Sequence, residues 1–348
     1  MEIQENIELA PLTTLRVGGR ARYFLCAQAI EDVQTAVEFA DARKLSLFVL
    51  GGGSNVLISD NGWPGLILQI GISGIDHSHE RETIRFVVGA GEEWDAFVAL
   101  CVTRNIAGIE CLSGIPGSVG ATPVQNVGAY GQEVSQTIVS VEVFDLATKQ
   151  VREMDAAECE FGYRSSVFNT RERGRYIILQ VTYELHHGGP PILQYADLRD
   201  YFAGRDETPT LSETREAVLK IRASKGMLIT PGDPDSLSAG SFFKNPVLTA
   251  AQFEELTRRA QERNLQVPSY PGLSQQKKIS AAWLVENSGF AKGYVKGRAG
   301  ISSKHALALV NRGGASAKEI LVLKDEIQKR VEEAWGIKLE PEPVLVGF

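Results

Sequence analysis

The sequence predicts an α+β protein with two sheet regions and more than one domain, and three observations support this fold class. The chain has 348 residues, which exceeds the size of one ordinary domain. Strand-like runs and amphipathic helical patterns alternate irregularly, without the regular βαβ order of a parallel sheet. The 34 glycines cluster at 51–53, 114–131 and 289–300, where the backbone must bend sharply or approach a ligand.

The first half of the chain predicts strands arranged around two glycine-rich segments. An amphipathic pattern predicts a helix at 31–44, and a second helix is predicted at 92–105. The predicted strands, rich in aliphatic and β-branched residues, are 47–50, 56–59, 66–70, 84–91, 138–145 and 176–185.

The second half of the chain is predominantly helical in pattern. A polar segment rich in proline and glycine, from His186 to Thr210, predicts a domain junction. A short strand is predicted at 306–310. The predicted helices are 212–225, 249–264, 277–288 and 316–335.

Charge and cysteine usage exclude several classes of function. The net charge of −7 argues against a general nucleic-acid binder, which needs a basic surface. No apolar run reaches the roughly 18 residues of a membrane helix, and the acidic N-terminus lacks a signal-peptide core. The four cysteines show no C-x-x-C spacing, which favours free thiols in a reducing compartment. We therefore expect a cytoplasmic monomer that binds neither membrane nor nucleic acid.

The first candidate binding motif is GGGSN at 51–55, directly after a predicted apolar strand. Consecutive glycines let backbone N–H groups turn towards one point and form an anion nest suited to a pyrophosphate. The motif lacks the G-x-G-x-x-G fingerprint and the Lys-Ser/Thr of a Walker A loop. A tight hairpin turn explains it equally well when it is taken alone.

The second candidate motif is the loop SGIPGSVGATPVQNVGAYG at 113–131. It is too long for a simple connection, and it is apolar and uncharged. Such a loop could lie along a cofactor, with backbone N–H groups facing phosphates and Tyr130 stacking on or hydrogen bonding to a flat ring. Two glycine loops after neighbouring strands favour a dinucleotide site more strongly than either loop does.

These motifs carry a resemblance to a known family. Together with TTLRVGG (13–19), FGYRSSVF (161–168), GSFFKNP (240–246), AAWLVENSG (281–289) and GIKLEPE (336–342), they resemble, in order, the UDP-N-acetylenolpyruvoylglucosamine reductase family, whose FAD-binding domain is of the vanillyl-alcohol-oxidase type. The resemblance implies a two-part FAD-binding domain, 1–75 rejoined by a C-terminal strand within 337–348, and 76–200. It also implies an α+β substrate-binding domain at 213–335.

The resemblance implies a reaction and a set of catalytic residues. NADPH would reduce FAD, and flavin N5 would pass hydride to the enolpyruvyl group of UDP-N-acetylglucosamine enolpyruvate, giving UDP-N-acetylmuramate for peptidoglycan precursor synthesis. Arg164 would hold the developing carboxylate charge, and Ser241 would donate the proton. Glu340, as a neutral acid, would donate a hydrogen bond to the substrate carboxylate, with Glu342 as its competitor.

Further positions are assigned to binding by the same resemblance. Noncovalent FAD is expected, because no histidine lies in either glycine loop. The expected FAD contacts are Gly51, Gly52, Gly53, Ser54, Asn55, Ser113, Gly114, Gly117, Ser118, Gly120, Asn126, Gly128 and Tyr130. The expected substrate contacts are Tyr195, Lys225, Asn245 and Lys278.

Three alternatives remain open at this point. An oxidase or dehydrogenase with the same FAD domain would act on another substrate, although GSFFKNP and LEPE argue against it. A catalytically inactive nucleotide-sugar binding module would not need Arg164, Ser241 and Glu340 together. A metal site at His186–His187 lacks a third ligand at useful spacing, so none is expected.

Overall fold

The structure is a computed structural model that describes residues 2–271 and 276–348. The strands of these residues are β1 (Gln4–Glu8), β2 (Arg20–Ala27), β3 (Leu47–Leu50), β4 (Val56–Ile58), β5 (Trp63–Ile70), β6 (Ile75–Glu80), β7 (Thr83–Gly89), β8 (Ile106–Ala107), β9 (Gly128–Ala129), β10 (Gln132–Glu133), β11 (Ile138–Asp145), β12 (Gln150–Asp155), β13 (Tyr176–His187), β14 (Ser238–Ser241), β15 (Val247–Leu248), β16 (Ser269–Pro271), β17 (Lys277–Ile279), β18 (Val295–Lys296), β19 (Ala299–Ile301), β20 (Ala308–Asn311) and β21 (Val344–Val346). The α-helices are α1 (Ile30–Arg43), α2 (Trp94–Thr103), α3 (Ala196–Tyr201), α4 (Leu211–Ser224), α5 (Ala250–Gln261), α6 (Ala281–Glu286) and α7 (Ala317–Trp335).

The chain forms two compact units, and each unit is assembled from separate segments. Unit 1 comprises Met1–Ile7, Ala21–Gly53 and Trp63–Leu228. Unit 2 comprises Glu8–Arg20, Ser54–Gly62 and Ile229–Phe348.

Unit 1 contains two larger sheets. The first has the order β1-β2-β5-β3, in which β2 and β3 pair in parallel with β5. Helix α1 makes the crossover from β2 to β3 and packs against β5. The second sheet has the order β12-β11-β13-β7-β6 with antiparallel pairing, and β8 adds to β13.

Helix α2 packs its apolar face on the second sheet of unit 1. The ring of Phe97 lies 5.5 Å from that of Phe86 on β7 and 5.4 Å from that of Tyr183 on β13. All three side chains are buried, and burial of such a ring typically contributes about 1.5–3 kcal/mol. This packing fixes the start of α2, where the second glycine loop is held.

Unit 2 is built from a sheet of order β14-β20-β19-β18, a sheet of order β15-β17-β16 and the parallel pair β21-β4. Helix α7 packs on β19 and β20, and the rings of Trp283 and Trp335 lie 5.0 Å apart between α6 and α7. The Asp60 carboxylate accepts the backbone N–H groups of Ala317 and Lys318 at 2.7 and 3.0 Å and caps α7. This carboxylate satisfies two of the N–H groups that a helix start leaves free.

Most predicted elements are confirmed, and one helix prediction is wrong. The helix predicted at 277–288 is strand β17 followed by the shorter helix α6, because Ser280 caps α6 at Trp283 N. The segment His186–Thr210 contains helix α3, whose Leu198 is buried, and its role as a domain junction stays a prediction. The division into 1–75, 76–200 and 213–335 stays a prediction, and the two units follow different boundaries, since α4 packs in unit 1.

Candidate active site

The two glycine loops predicted to bind a cofactor lie against each other in unit 1. A Cβ atom placed on Gly52 would lie 2.6 Å from Gly117 Cα and 3.0 Å from Ser118 N. A Cβ on Gly51 would lie 2.9 Å from Ser118 Oγ. Only glycine permits this backbone approach, so the two loops pack main chain against main chain, and we call this contact the glycine cradle.

Backbone hydrogen bonds hold the second loop at the start of α2. Trp94 N donates to Gly117 O at 3.1 Å, and Gly120 N donates to Ala90 O at 2.9 Å. A Cβ on Gly120 would lie 2.5 Å from Ala90 Cβ. The loop is therefore fixed to the secondary structure on which it lies, and its conformation is predefined rather than free.

Asn126 is buried, and its side chain forms hydrogen bonds within the protein. It has a left-handed φ of 45°, and its Nδ2 donates to Glu133 Oε2 at 2.9 Å and to Gly162 O at 3.1 Å. Its Oδ1 accepts from Ser135 N at 3.1 Å. Asn126 thus connects the glycine loop to the turn that carries Arg164.

Arg164 lies at a tight turn in unit 1 with a left-handed φ of 53°. Its Nη2 donates to Gly128 O in the glycine loop at 2.7 Å, and Asn169 Nδ2 donates to its carbonyl at 3.2 Å. A non-glycine residue at positive φ is uncommon and persists where surrounding contacts determine it. Arg164 is therefore brought to the glycine loop, and its assignment to the same site as that loop stays a prediction.

Tyr130 is buried in a small apolar cluster rather than standing out from the loop. The cluster consists of Tyr130 with Cys111, Leu198, Ala217 and Val218. Its ring meets that of Tyr195 edge-on at 5.5 Å, and burial raises the pKa of the Tyr130 hydroxyl. The packing of Tyr130 under α3 and α4 could not be read from its place in a glycine-rich loop.

Ser241 and Glu340 lie on neighbouring segments of unit 2. Ser241 ends β14 and pairs with Ala308, and the chain beyond it continues antiparallel to 340–342. Lys244 N donates to Glu340 O at 2.9 Å, and Glu342 N donates to Phe242 O at 2.9 Å.

The side chains of this pair differ in exposure. Ser241 is half-buried, whereas the Glu340 side chain is 77% exposed with Oε2 3.9 Å from Lys244 Nζ. The carboxylate therefore faces open space beside a cation.

The remaining predicted contacts divide between the two units. Asn245 in unit 2 accepts the N–H of Ala281 at 2.9 Å and so lies at the start of α6, and Lys278 lies on β17 opposite Val247. Lys225 in unit 1 forms an ion pair with Asp197. The other positions fall as follows: Tyr195 and Ser113 belong to unit 1, and Ser54 and Asn55 belong to unit 2.

Three charged residues of unit 1 were not singled out from the sequence. Asp95 on α2 and Arg222 on α4 hydrogen bond with Gly114, at the start of the second loop, and Arg215 on α4 pairs with Asp95. Asp95 and Arg215 are 120 residues apart in the chain, and each occurs on an ordinary amphipathic helix, so no local pattern marks them.

Residues 2–271 and 276–348 contain no group of three or more His, Cys, Asp or Glu able to hold a metal ion. His186 and His187 end β13 opposite Ala107 and Ile106. Burial raises the pKa of Cys101 to about 12, so this thiol stays protonated at neutral pH.

Similarity to known protein families shows the class of protein to which this site belongs. A protein-family model described as an FAD binding domain matches residues 21–155, which contain both glycine loops. A second family model, described as the C-terminal domain of UDP-N-acetylenolpyruvoylglucosamine reductase, matches residues 233–346. The glycine cradle is consistent with the diphosphate of such a cofactor, since its loops pack main chain against main chain and backbone N–H groups of glycine-rich loops are suited to binding phosphates. The fold and the cradle define an FAD-dependent oxidoreductase.

Full-length relatives narrow this class to one family. The UDP-N-acetylenolpyruvoylglucosamine reductases of Thermobifida fusca and Salinispora arenicola are each 45% identical to this chain, covering 98% and 97% of it and 97% and 94% of their own lengths. A crystal structure of the reductase from Thermus caldophilus matches with a TM-score of 0.68 and 25% identity over 99% of both chains. The chain belongs to the UDP-N-acetylenolpyruvoylglucosamine reductase family.

Membership confirms the resemblance and the predicted fold class, an α+β chain with an FAD-binding domain followed by a C-terminal domain. The expected FAD cofactor is confirmed at the level of the family. No helix of the described residues has the length and apolar character needed to cross a membrane.

Proposed function

We propose that this protein reduces UDP-N-acetylglucosamine enolpyruvate to UDP-N-acetylmuramate with NADPH as the hydride donor, in the cytoplasmic synthesis of peptidoglycan precursors. The observation that carries the proposal is the contact of two glycine loops beside Arg164, in a chain whose C-terminal part matches the reductase. FAD, bound noncovalently, supplies hydride transfer between NADPH and the enolpyruvyl group.

Two loops would hold FAD. Gly51–Gly53 and 113–131 offer backbone N–H groups to the diphosphate, and their mutual approach leaves no room for side chains between them. Neither loop contains a histidine that could bind flavin covalently.

Arg164 would stabilise the charge that develops during reduction. Hydride addition to the terminal alkene carbon builds negative charge on the neighbouring carbon, and this charge spreads into the substrate carboxylate. A guanidinium can meet a carboxylate with two parallel hydrogen bonds. Its hydrogen bond to Gly128 O restrains the Arg164 head group before substrate binds, which reduces reorganisation during reaction.

Ser241 would donate the proton to that carbon. A hydroxyl is a weak acid, so it suits this role only when a strongly basic carbanion forms beside it. The rigid backbone supports the assignment: Ser241 pairs with Ala308, and Phe242 N donates to Leu307 O at 2.8 Å.

Glu340 would act beside Ser241 by donating a hydrogen bond to the substrate carboxylate, a role that requires its exposed carboxyl group to take up a proton when substrate binds. The backbone ladder between Phe242 and Glu342 and between Lys244 and Glu340 supports this assignment, because it fixes the two segments to each other. Glu342, two residues along, stays the competitor for the role, and the two carboxyl groups are distinguished by separate substitution.

The test separates the two half-reactions. Ser241→Ala should leave reduction of FAD by NADPH near the parent rate, while reoxidation by the enolpyruvyl sugar slows by about 10²–10⁴-fold. Ser241→Cys should recover part of this loss, because a thiol also donates a proton and is more acidic. Ser238→Ala, on the same strand β14, is the matched control and should reoxidise near the parent rate.

Stopped-flow absorbance under anaerobic conditions resolves both steps. Reoxidation of Ser241→Ala at the parent rate would show that Ser241 is not the acid. Reoxidation of the parent protein by oxygen but not by the enolpyruvyl sugar would favour an oxidase acting on another substrate.

A further inference from the structure

An ion pair between α2 and α4 holds the first peptide group of the second glycine loop. Arg215 Nη1 and Nη2 donate to Asp95 Oδ1 and Oδ2 at 2.6 and 2.7 Å, and Gly114 N donates to the same carboxylate at 2.5 Å. Burial opposes ionisation of Asp95, but the hydrogen bonds from Arg215 and Gly114 outweigh it and hold the pKa of that carboxyl below its usual value. Asp95 therefore binds Gly114 as a carboxylate.

A second arginine, Arg222, binds the backbone carbonyl of Gly114. Arg222 Nε donates to Gly114 O at 3.2 Å, and Arg222 Nη2 donates to Met227 O at 2.8 Å. The Arg222 residue is only 9% exposed, and its positive charge lies close enough to Tyr130, near the far end of the loop, to interact electrostatically with that hydroxyl. One buried guanidinium thus hydrogen bonds with one end of residues 113–131 and interacts electrostatically with Tyr130 near the other end.

The geometry at Gly114 shows that this conformation is imposed from outside the loop. Gly114 has a left-handed φ of 72°, and a Cβ there would lie 2.5 Å from Leu228 Cδ2 and 2.8 Å from Leu219 Cδ2. Its N–H and its carbonyl are each bound by a charged side chain from a different helix. Burying a charged guanidinium costs free energy unless its N–H groups form hydrogen bonds. Because the buried guanidinium of Arg222 donates to two backbone carbonyls, we infer that the loop requires a fixed shape.

We propose that Asp95, Arg215 and Arg222 are positioning residues that preset the 113–131 loop for FAD. They act through the backbone of Gly114, which Asp95 and Arg222 bind directly and Arg215 reaches through Asp95. This inference rests on the proposed function only in that the 113–131 loop is taken to bind FAD. It also explains why α4 belongs to unit 1: the helix supports the cofactor loop.

The test measures FAD affinity on protein freed of flavin, with unfolding followed separately. Arg222→Lys keeps the charge but loses the planar fork that reaches two carbonyls, and Asp95→Asn weakens the bond to Arg215. We expect the FAD dissociation constant to rise by about 10- to 100-fold in each variant, with an altered visible circular dichroism of the bound flavin. The matched control is Arg175→Lys, since Arg175 forms an equally bidentate pair with Asp145 elsewhere in unit 1.

The comparison with the control separates positioning from stability. Suppose that the FAD dissociation constants of Arg222→Lys and Asp95→Asn lie within about threefold of that of Arg175→Lys, while the three variants lose a similar amount of thermal midpoint. In that case Asp95, Arg215 and Arg222 only stabilise the fold, and the inference is wrong. If Arg222→Lys does not fold, Asp95→Asn decides the question by the same criterion. Failure of the parent protein to bind FAD would instead contradict the proposed function.

Discussion

The contact between the glycine loops makes Gly52→Ala a sensitive test of the cofactor cradle. The added Cβ would lie 2.6 Å from Gly117 Cα, 2.9 Å from Gly117 C and 3.0 Å from Ser118 N. Carbon atoms pack at about 3.5–4.0 Å, so the loops must separate by about 1 Å. All three neighbours are backbone atoms, which cannot move aside by changing rotamer.

The expected magnitude follows from that separation. A misplacement of about 1 Å in a binding site typically costs about 10²-fold, which corresponds to about 2.7 kcal/mol. We expect the FAD dissociation constant of Gly52→Ala to rise by about this factor. Overpacking alone destabilises folded proteins by about 1–3 kcal/mol, so the variant should still fold.

Flavin fluorescence titration of the flavin-free protein measures the affinity, and circular dichroism measures folding. Gly189→Ala is the matched control, because its Cβ would meet only the side chains of Ala107 and His186, at 3.1 and 3.5 Å. Unchanged FAD affinity in Gly52→Ala would show that the contact between the two loops does not form part of the cofactor site.

Three further predictions concern charge. Glu340→Ala should slow flavin reoxidation by the enolpyruvyl sugar by about 10²-fold or more, whereas Glu342→Ala should not; the opposite result in stopped-flow absorbance would exchange their roles. Arg164→Lys should lower kcat/KM by about 10²-fold with FAD content unchanged, because an ammonium lacks the planar fork, and parental kcat/KM in steady-state assays would remove Arg164 from catalysis. Hydrogen bonds from Arg175 lower the pKa of Asp145 to about 2, and they outweigh the opposing effect of burial. A pKa lowered in the folded state stabilises the protein above the ordinary value near 3.9, and this stabilisation is lost as the pH falls towards 2. Thermal midpoints should therefore show that Asp145→Asn destabilises the protein at pH 7 and has little effect near pH 2.

Local patterns predicted the parts of the structure that depend on local sequence. Apolar periodicity predicted the strand Leu47–Leu50 and the helix Ile30–Arg43. The density of glycine predicted the two glycine loops. Strand β6 was missed because nearly every residue in Ile75–Glu80 is exposed, so no apolar alternation marks it.

Features that depend on distant residues could not be predicted in this way. The amphipathic stripe of α4 predicted a helix but not the core on which it packs, and that core includes Tyr130. The assignment of Asn126 to FAD came from the resemblance and stays a prediction, and the hydrogen bonds of its side chain with Glu133, Gly162 and Ser135 could not be predicted from the sequence. Resemblance to a family supplied the reaction, since no spacing in the chain specifies an enolpyruvyl substrate.

The most direct test of the proposed function is one anaerobic visible spectrum followed through two additions. NADPH should bleach the flavin absorbance of the purified protein, and UDP-N-acetylglucosamine enolpyruvate should then restore it, with one UDP-N-acetylmuramate formed per flavin. Flavin that is bleached by NADPH but stays reduced after the enolpyruvyl sugar is added, and recovers only with oxygen, would contradict the proposed reaction.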